Sequence, residues 1–364
     1  MKLPPGRSFG GSEAMELPRL FGVFLYVAFL VALCFVCFKK PIPEEFDRYV
    51  YESIARTRRQ TVQTIYPIVK HSSPRAEASS IMDSPEHLGQ LEPLYAIRPL
   101  YLEAIAIAAD AGIPYQPAIS LISVASLFLI GVTLLWWTGR PLYSALLLAS
   151  PAVVGIARSG TPDALAALFL VTSVWALTND WMLPGLSILL ASVWVRTDNL
   201  LFVLTALIWL MWRKKLSPVK SAALAGLAAA SVLAINYFSG NYGWSVLFRY
   251  TFVGGRYIAY VPPDLKLSEY VSAVASGIRQ IGNQEVTLFL LVGLAAFKWL
   301  PKAEALRSLL VVVAAAALLR FALFPNPENR YFAWAYLITG TAFIRALSPS
   351  VGLLPSFHKL DQTP

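Results

Sequence analysis

The chain has 364 residues, of which 57% are hydrophobic and 14% are charged, with 30 Lys and Arg against 21 Asp and Glu. Apolar runs this long and frequent exclude a disordered chain and an ordinary soluble domain, and they predict an all-α, polytopic bundle of membrane helices. The basic excess is typical of the positive-inside bias of membrane proteins. We therefore expect the bilayer as a partner and no nucleic acid.

Residues 1–19 form a polar tail, and residues 20–38 are an apolar run long enough to span a membrane. This run is longer than the core of a signal peptide and lacks a small-residue cleavage site, which predicts a retained helix. Cys34 and Cys37 lie inside it with CxxC spacing. Because a thiolate is disfavoured in hydrocarbon, we interpret both as small buried side chains and not as a redox pair.

A first large outer loop is predicted over residues 39–115, and loops of this size are usually functional or mobile. Near its end, the stretch of residues 100–113 carries Glu103 and Asp110. These charges predict a helix that lies along the membrane surface and does not cross it.

Nine further apolar runs bring the predicted number of spans to about ten, although several are shorter than the usual twenty residues. They cover residues 117–137, 142–154, 164–177, 183–195, 200–212, 219–238, 286–300, 309–324 and 332–344. The transmembrane domain is thus predicted over residues 20–346, with a second large outer loop at 239–284 and a tail at 347–364. The basic residues of the short connections all fall on one side, which makes that side and both tails cytoplasmic. They are Arg140, Arg213–Lys215, Lys298, Lys302, Arg307 and Arg345.

The short turn from Ala157 to Asp163 joins two of these apolar runs. Its serine, glycine and proline predict a tight turn, and Thr161 or Ser159 is expected to cap the next helix. Asp163 then lies in the first helical turn, where the dipole favours negative charge. An arginine and a carboxylate at such a junction are costly unless they face water, a polar cavity or each other. An ordinary capped hairpin is the simpler interpretation of this turn alone.

Each short outer turn carries arginine beside an acid or amide, although the outer side should be depleted in arginine. The set comprises Asp47, Arg48, Arg158, Asp163, Arg196, Asp198, Arg320, Glu328, Asn329 and Arg330. These residues are either independent capping and snorkelling groups or the lining of one water-accessible cavity. In a cavity, carboxylates suit the deprotonation of a sugar hydroxyl and guanidinium forks suit phosphate oxygens. The second interpretation predicts glycosyl transfer from a lipid-phosphate sugar.

The order of these features resembles the GT-C superfamily of membrane glycosyltransferases, which includes protein mannosyltransferases and aminoarabinose transferases. A single first span leads into an outer loop that opens with Phe46-Asp47-Arg48-Tyr49, and Arg98-Pro99-Leu100-Tyr101 begins the surface helix. A hairpin through Gly139-Arg140, the Arg158–Asp163 turn and Asn329-Arg330-Tyr331 follow. The resemblance covers residues 20–344 and consists of layout and short motifs.

The resemblance implies an inverting hexosyltransferase in a bacterial plasma membrane, with its active site on the extracytoplasmic side. It implies that Asp47 activates the acceptor and that Asp163 orients the acceptor or a metal. The donor would be a polyprenyl-phosphate sugar and the acceptor a lipid, a glycan or a protein. Candidate ligands of the donor phosphate or substrate are Arg48, Arg158, Arg196, Asp198, Arg320, Arg330 and Tyr331. No cofactor is assigned, although two acids on one face could hold a divalent cation.

Two other functions are open at this point. A membrane transporter or lipid flippase would use the same polar residues to line a path, and it predicts charged or broken helices near the midplane and two related halves. The third hypothesis, after the transferase and the transporter, is a GT-C-like protein without catalytic activity. It is motivated by Asp47-Arg48 where the family has paired acids, and by Arg196 where the family has a lysine.

Overall fold

The computed structural model of the protein describes residues 16–42, 46–58, 60–72, 83–255, 257–285, 293 and 304–347. Within these residues the chain forms sixteen α-helices, two short 3₁₀ turns and no strand. The predicted all-α class is therefore confirmed. Most of the two predicted tails lies outside the described residues.

The helices follow one another through short connections and differ widely in length. They are α1 (Glu16–Lys39), α2 (Asp47–Thr57), α3 (Val62–Ser72), α4 (Pro85–Tyr95), α5 (Pro99–Asp110), α6 (Tyr115–Thr138), α7 (Pro141–Leu148), α8 (Pro151–Ser159), α9 (Asp163–Thr178), α10 (Met182–Val195), α11 (Leu200–Trp212), α12 (Pro218–Phe238), α13 (Trp244–Phe252), α14 (Leu267–Ile281), α15 (Glu304–Leu323) and α16 (Asn329–Leu347).

Three helices in the described part of the chain are long and apolar enough to cross a membrane: Leu20–Lys39 within α1, α6 and α12. The pair α7 and α8 passes the same test but is bent by 60°, and it adds a fourth span if the pair is counted as one. Helices α9 and α10 and the segment Thr197–Trp212 are apolar but shorter. These helices support a helical membrane protein, but in the described part of the chain they do not confirm the predicted number of about ten spans. The predicted run 286–300 lies outside the described residues apart from Gly293.

The run predicted as one helix over residues 142–154 is divided between α7 and α8. Ala149 ends α7, and the side chain of Ser150 accepts a hydrogen bond from the Val153 N–H to begin α8. Pro151 occupies the first helical position, where its missing N–H is tolerated and its fixed φ favours a new helix. The Ser-Pro pair therefore sets the break inside an otherwise apolar run.

The first outer loop contains helices α2 to α5, and α2 packs against the other three. Burial of Tyr51, Tyr101, Ile105 and Ile119 gives this loop a small core of its own, shared with α6. The helix predicted over residues 100–113 is α5, which contacts α6 and α10. This packing fixes the start of α2 against the bundle.

The main hydrophobic core lies among α1 and α6 to α11, and α15 and α16 complete it. Cys34 and Cys37 are buried there, as predicted, and form no disulfide. Polar groups gather at two ends of this core. At one end Lys215 pairs with Asp180 at 2.5 Å. At the same end, where α6 and α16 finish, Arg345 donates to a backbone carbonyl. The opposite end carries Asp47 and Asp163.

Candidate functional site

The turn between α8 and α9 places Asp163 at the start of a buried helix. Gly160 ends α8 with φ +68°, a conformation that favours glycine, and its carbonyl accepts a hydrogen bond from the Tyr101 hydroxyl at 2.9 Å. The hydroxyl of Thr161 donates to Asp163 Oδ2 at 2.6 Å. The predicted tight turn is confirmed, but the predicted serine or threonine cap is wrong. Pro162 is the N-cap residue, and the Thr161 hydroxyl is bound to the carboxylate.

Replacing Gly160 by Ala should destabilise the protein, because the new Cβ would lie 2.9 Å from Ile119 Cγ2 at a positive φ. We expect a loss of about 1–2 kcal/mol, the usual cost of this conformation for an L residue. Thermal unfolding in detergent measures it. Gly155→Ala, in the preceding helix with no atom within 4 Å of its Cβ, is the matched control and should be neutral or stabilising. Equal stability of the two variants would contradict the assigned strain.

Asp163 begins a chain of ion pairs that connects three helices. The Arg196 guanidinium contacts Asp163 Oδ1, and its Nε donates to Asp198 Oδ1 at 2.9 Å. Arg320, near the end of α15, donates from Nε to Asp198 Oδ2 at 3.2 Å. Asp163, Arg196 and Arg320 are each more than nine-tenths buried. Buried charges are tolerated only when paired, so this network fixes the relative positions of α9, α10 and α15.

Asp47, the first residue of α2, pairs with Arg330 near the start of α16. Arg330 donates from Nη1 to Asp47 Oδ2 at 3.0 Å and from Nε to Glu328 Oε2 at 2.7 Å. The Tyr95 hydroxyl donates to Asp47 Oδ1 at 2.6 Å. The Asp47 side chain is 24% exposed. Both of its oxygens are therefore oriented, and the carboxylate is still accessible.

Tyr331 joins the two groups of ion pairs. The guanidinium carbons of Arg320, Arg330 and Arg196 lie 4.1, 4.9 and 5.2 Å from the centre of its ring, within cation–π range. Arg330 Nη2 also donates to the Tyr331 hydroxyl at 3.1 Å. Asp47 and Asp163, the two acids to which the sequence analysis gave catalytic roles, are thus connected through one cluster of arginines around Tyr331.

The cluster lines a small pocket at this end of the bundle. Its lining carries three guanidinium groups, from Arg196, Arg320 and Arg330, against the carboxylates of Asp163 and Asp198. Phe202, Trp334 and Tyr331 supply aromatic walls. The guanidinium groups of this lining suit an anionic group such as a phosphate.

Arg320, which lines this pocket, has an unused donor. Its Nη1 is buried and has no hydrogen-bond partner in the part of the chain that the structure describes. An unmade hydrogen bond at a buried charged group is costly. An anionic oxygen bound in the pocket would satisfy it.

The charges of the cluster are set by its geometry at neutral pH. The Asp198 carboxylate accepts hydrogen bonds from the guanidinium groups of both Arg196 and Arg320. Burial, and then the Asp47 carboxylate, raise the pKa of Tyr95 well above its usual range. The Tyr95 phenol therefore remains a donor.

Two predicted ligands of the donor phosphate, Arg48 and Arg158, do not line the pocket. Arg48 lies against α6, where its Nε donates to Gln116 Oε1 at 2.7 Å and its Nη2 to Ser120 Oγ at 3.2 Å. Arg158 donates from Nε to the Lys40 carbonyl at 2.5 Å, beyond the end of α1. The structure thus gives both arginines partners in the scaffold.

Sequence reasoning missed Tyr95, which lies far from Asp47 along the chain and has no diagnostic spacing. Its ring meets Tyr51 edge-on at 5.2 Å, and Tyr51 meets Tyr101 at 5.1 Å. This aromatic stack leads from Asp47 to the Gly160 carbonyl, and so to the turn before Asp163. The only hint of Tyr95 in the sequence was the aromatic enrichment around residues 94–101, and this enrichment does not show that its hydroxyl binds Asp47.

The divalent cation considered from the sequence finds no donor set here. Among the described residues, no group of three or more His, Cys, Asp and Glu side chains could hold a metal ion. The oxygens of Asp47 and Asp163 instead accept from guanidinium and hydroxyl groups. The site is better described as an arginine–carboxylate cluster.

Comparisons of the chain with protein-family models, curated proteins and solved structures found no match.

Proposed function

We propose that the protein is a GT-C-like membrane glycosyltransferase that moves a sugar from a polyprenyl-phosphate donor to an extracytoplasmic acceptor hydroxyl, with inversion. The observation that supports it most is that Asp47 and Asp163 belong to one cluster with three arginines around Tyr331. A base beside several phosphate-binding groups is what this reaction needs.

The helix lengths favour a site recessed into the bilayer. Helices α9, α10 and α11 have 16, 14 and 13 residues. They are therefore about 24, 21 and 20 Å long, against about 30 Å of hydrocarbon. The cluster lies at the ends of these short helices, whereas α6 with 24 residues is long enough to span. A phosphate whose polyprenyl tail remains in the bilayer can reach such a recess from the side.

The distribution of basic residues favours an extracytoplasmic site and the membrane orientation expected from the sequence. Arg140, Arg213–Lys215 and Arg345 lie at the end of the bundle opposite Asp163. Short cytoplasmic connections are enriched in such residues. We accordingly assign the Asp47 end to the outer side, with the remaining apolar helices as further membrane passages.

In the proposed reaction, Asp47 accepts the proton of the acceptor hydroxyl as its oxygen bonds to the anomeric carbon of the sugar. The bond from that carbon to the phosphate oxygen breaks, and its electron pair stays on the phosphate. Arg330 and Arg320 neutralise this charge, and the unused Nη1 of Arg320 provides a donor. Asp163 orients Arg196 and so holds the cluster in place.

Proteoliposomes with purified protein, labelled polyprenyl-phosphate sugars and lipid, glycan or peptide acceptors provide the test. We expect label to appear on an acceptor together with free polyprenyl phosphate. Asp180→Asn, at the opposite end of the bundle, is the control and should retain transfer. Transbilayer movement of the intact donor without bond cleavage would instead favour a flippase and overturn the proposal.

A further inference from the structure

Helix α14 has an exposed apolar face that the proposed reaction does not use. Leu267, Val271 and Ile278 are 78%, 56% and 56% exposed and recur at helical spacing on one side. A second face is exposed and polar, and it consists of Ser268, Ser272, Ser276 and Arg279. A helix with adjacent apolar and polar faces is suited to a boundary between hydrocarbon and water.

The third face of α14 packs on the connection between α15 and α16. Ala273 and Gly277 are its buried residues, and a Cβ on Gly277 would clash with the Pro325 carbonyl oxygen. The Tyr270 hydroxyl donates to the Ala322 carbonyl at 2.5 Å. The small residues therefore allow the α14 backbone to approach this connection closely.

That connection carries residues of the candidate site on both sides. Arg320 precedes it in α15, and Arg330 follows it in α16. Just beyond α14, Gln284 Oε1 accepts a hydrogen bond from the Asn329 N–H at 3.1 Å. Helix α14 therefore contacts the connection between the two helices that carry Arg320 and Arg330.

We infer that α14 is an interfacial helix whose apolar face inserts into the lipid monolayer around the mouth of the site. An exposed apolar surface on α15 supports this occupant, because Leu318, Leu319 and Leu323 are exposed beside the residues that α14 contacts. The two helices that carry these exposed apolar side chains are in contact with each other. Arg279 on the polar face of α14 fits anionic headgroups. This inference does not depend on the proposed reaction.

Site-specific fluorescence in proteoliposomes tests the inserted face. Val271→Cys and Ser272→Cys variants carry an environment-sensitive dye on adjacent exposed residues, one on each face. In vesicles of phosphatidylethanolamine and phosphatidylglycerol, we expect the dye at residue 271 to be quenched by spin-labelled lipid. The dye at residue 272 should be quenched by aqueous cobalt instead.

The unsubstituted protein, whose two cysteines are buried, gives the labelling background. Both substituted positions are exposed, so gel-filtration profiles in detergent should match the unsubstituted protein. Equal aqueous quenching at both positions would overturn the inference. Protection of residue 271 from lipid and water alike would show that protein covers this face, and would overturn it as well.

Discussion

Replacing Asp47 by Asn is expected to lower the rate of sugar transfer by a factor of about 10² to 10⁴, the range for loss of a general base. The amide matches the carboxylate in shape but cannot take up the acceptor proton. Its effect should fall on kcat, because Arg320, Arg330 and the rest of the pocket still bind the donor. Initial rates in proteoliposomes at saturating donor measure it.

Two matched variants separate a chemical role of Asp47 from a structural one. Asp180→Asn makes the same substitution on an exposed residue that pairs with Lys215 at the far end of the bundle, and it should leave transfer unchanged. Tyr95→Phe removes the hydrogen bond to Asp47 Oδ1 but keeps the ring on Tyr51. It should lower kcat by less than Asp47→Asn, with an unchanged KM for the donor. Transfer by Asp47→Asn close to the unsubstituted rate would remove Asp47 from the catalytic role.

The sequence predicted the grouping of polar residues at one end better than it predicted their individual partners. Asp47 and Asp163 lie at that end because an apolar run must enter and leave a membrane at its ends. Adjacent helical residues point about 100° apart, however, so Arg48 turns towards Gln116 on α6 while Asp47 meets Arg330. No short-range pattern determines such a choice.

The same limit applies to Tyr95 and to the division of α7 from α8. The bond from Tyr95 to Asp47 requires α4 to pack on α2, and that packing depends on several helices at once. The break at Ser150 and Pro151 is visible in the sequence, but the run around it is apolar on both sides. Hydropathy reports the partition of a segment into lipid and is insensitive to a bend within it.

Replacing Arg196 by Gln is expected to destabilise the protein by about 3–5 kcal/mol, the cost of removing one partner of a buried ion pair. Asp163 would remain buried, and Thr161 would be its only described hydrogen-bond partner. Asp198 would keep Arg320, so the damage should concentrate at the start of α9. Reversible unfolding in detergent micelles measures the change.

A double-substitution cycle identifies the origin of this loss. Adding Asp163→Asn to Arg196→Gln removes the uncompensated charge and should recover part of the stability, so the two changes should not be additive. Arg158→Gln, which loses a bond to the Lys40 carbonyl at a partly exposed site, should cost no more than about 1.5 kcal/mol. Additive losses in the cycle would contradict direct pairing of Arg196 with Asp163.

A further variant can distinguish a role of the Asp163–Arg196 pair in stability from a role in function. Well-packed apolar residues can replace a buried ion pair at little or no cost in stability. A folded Asp163→Leu/Arg196→Leu variant that has lost sugar transfer would therefore separate folding from function at this site. Arg196 contacts Asp163, Asp198 and the Tyr331 ring at once. In that outcome its charge would be assigned to ordering the arginine cluster of the pocket and not to stability alone.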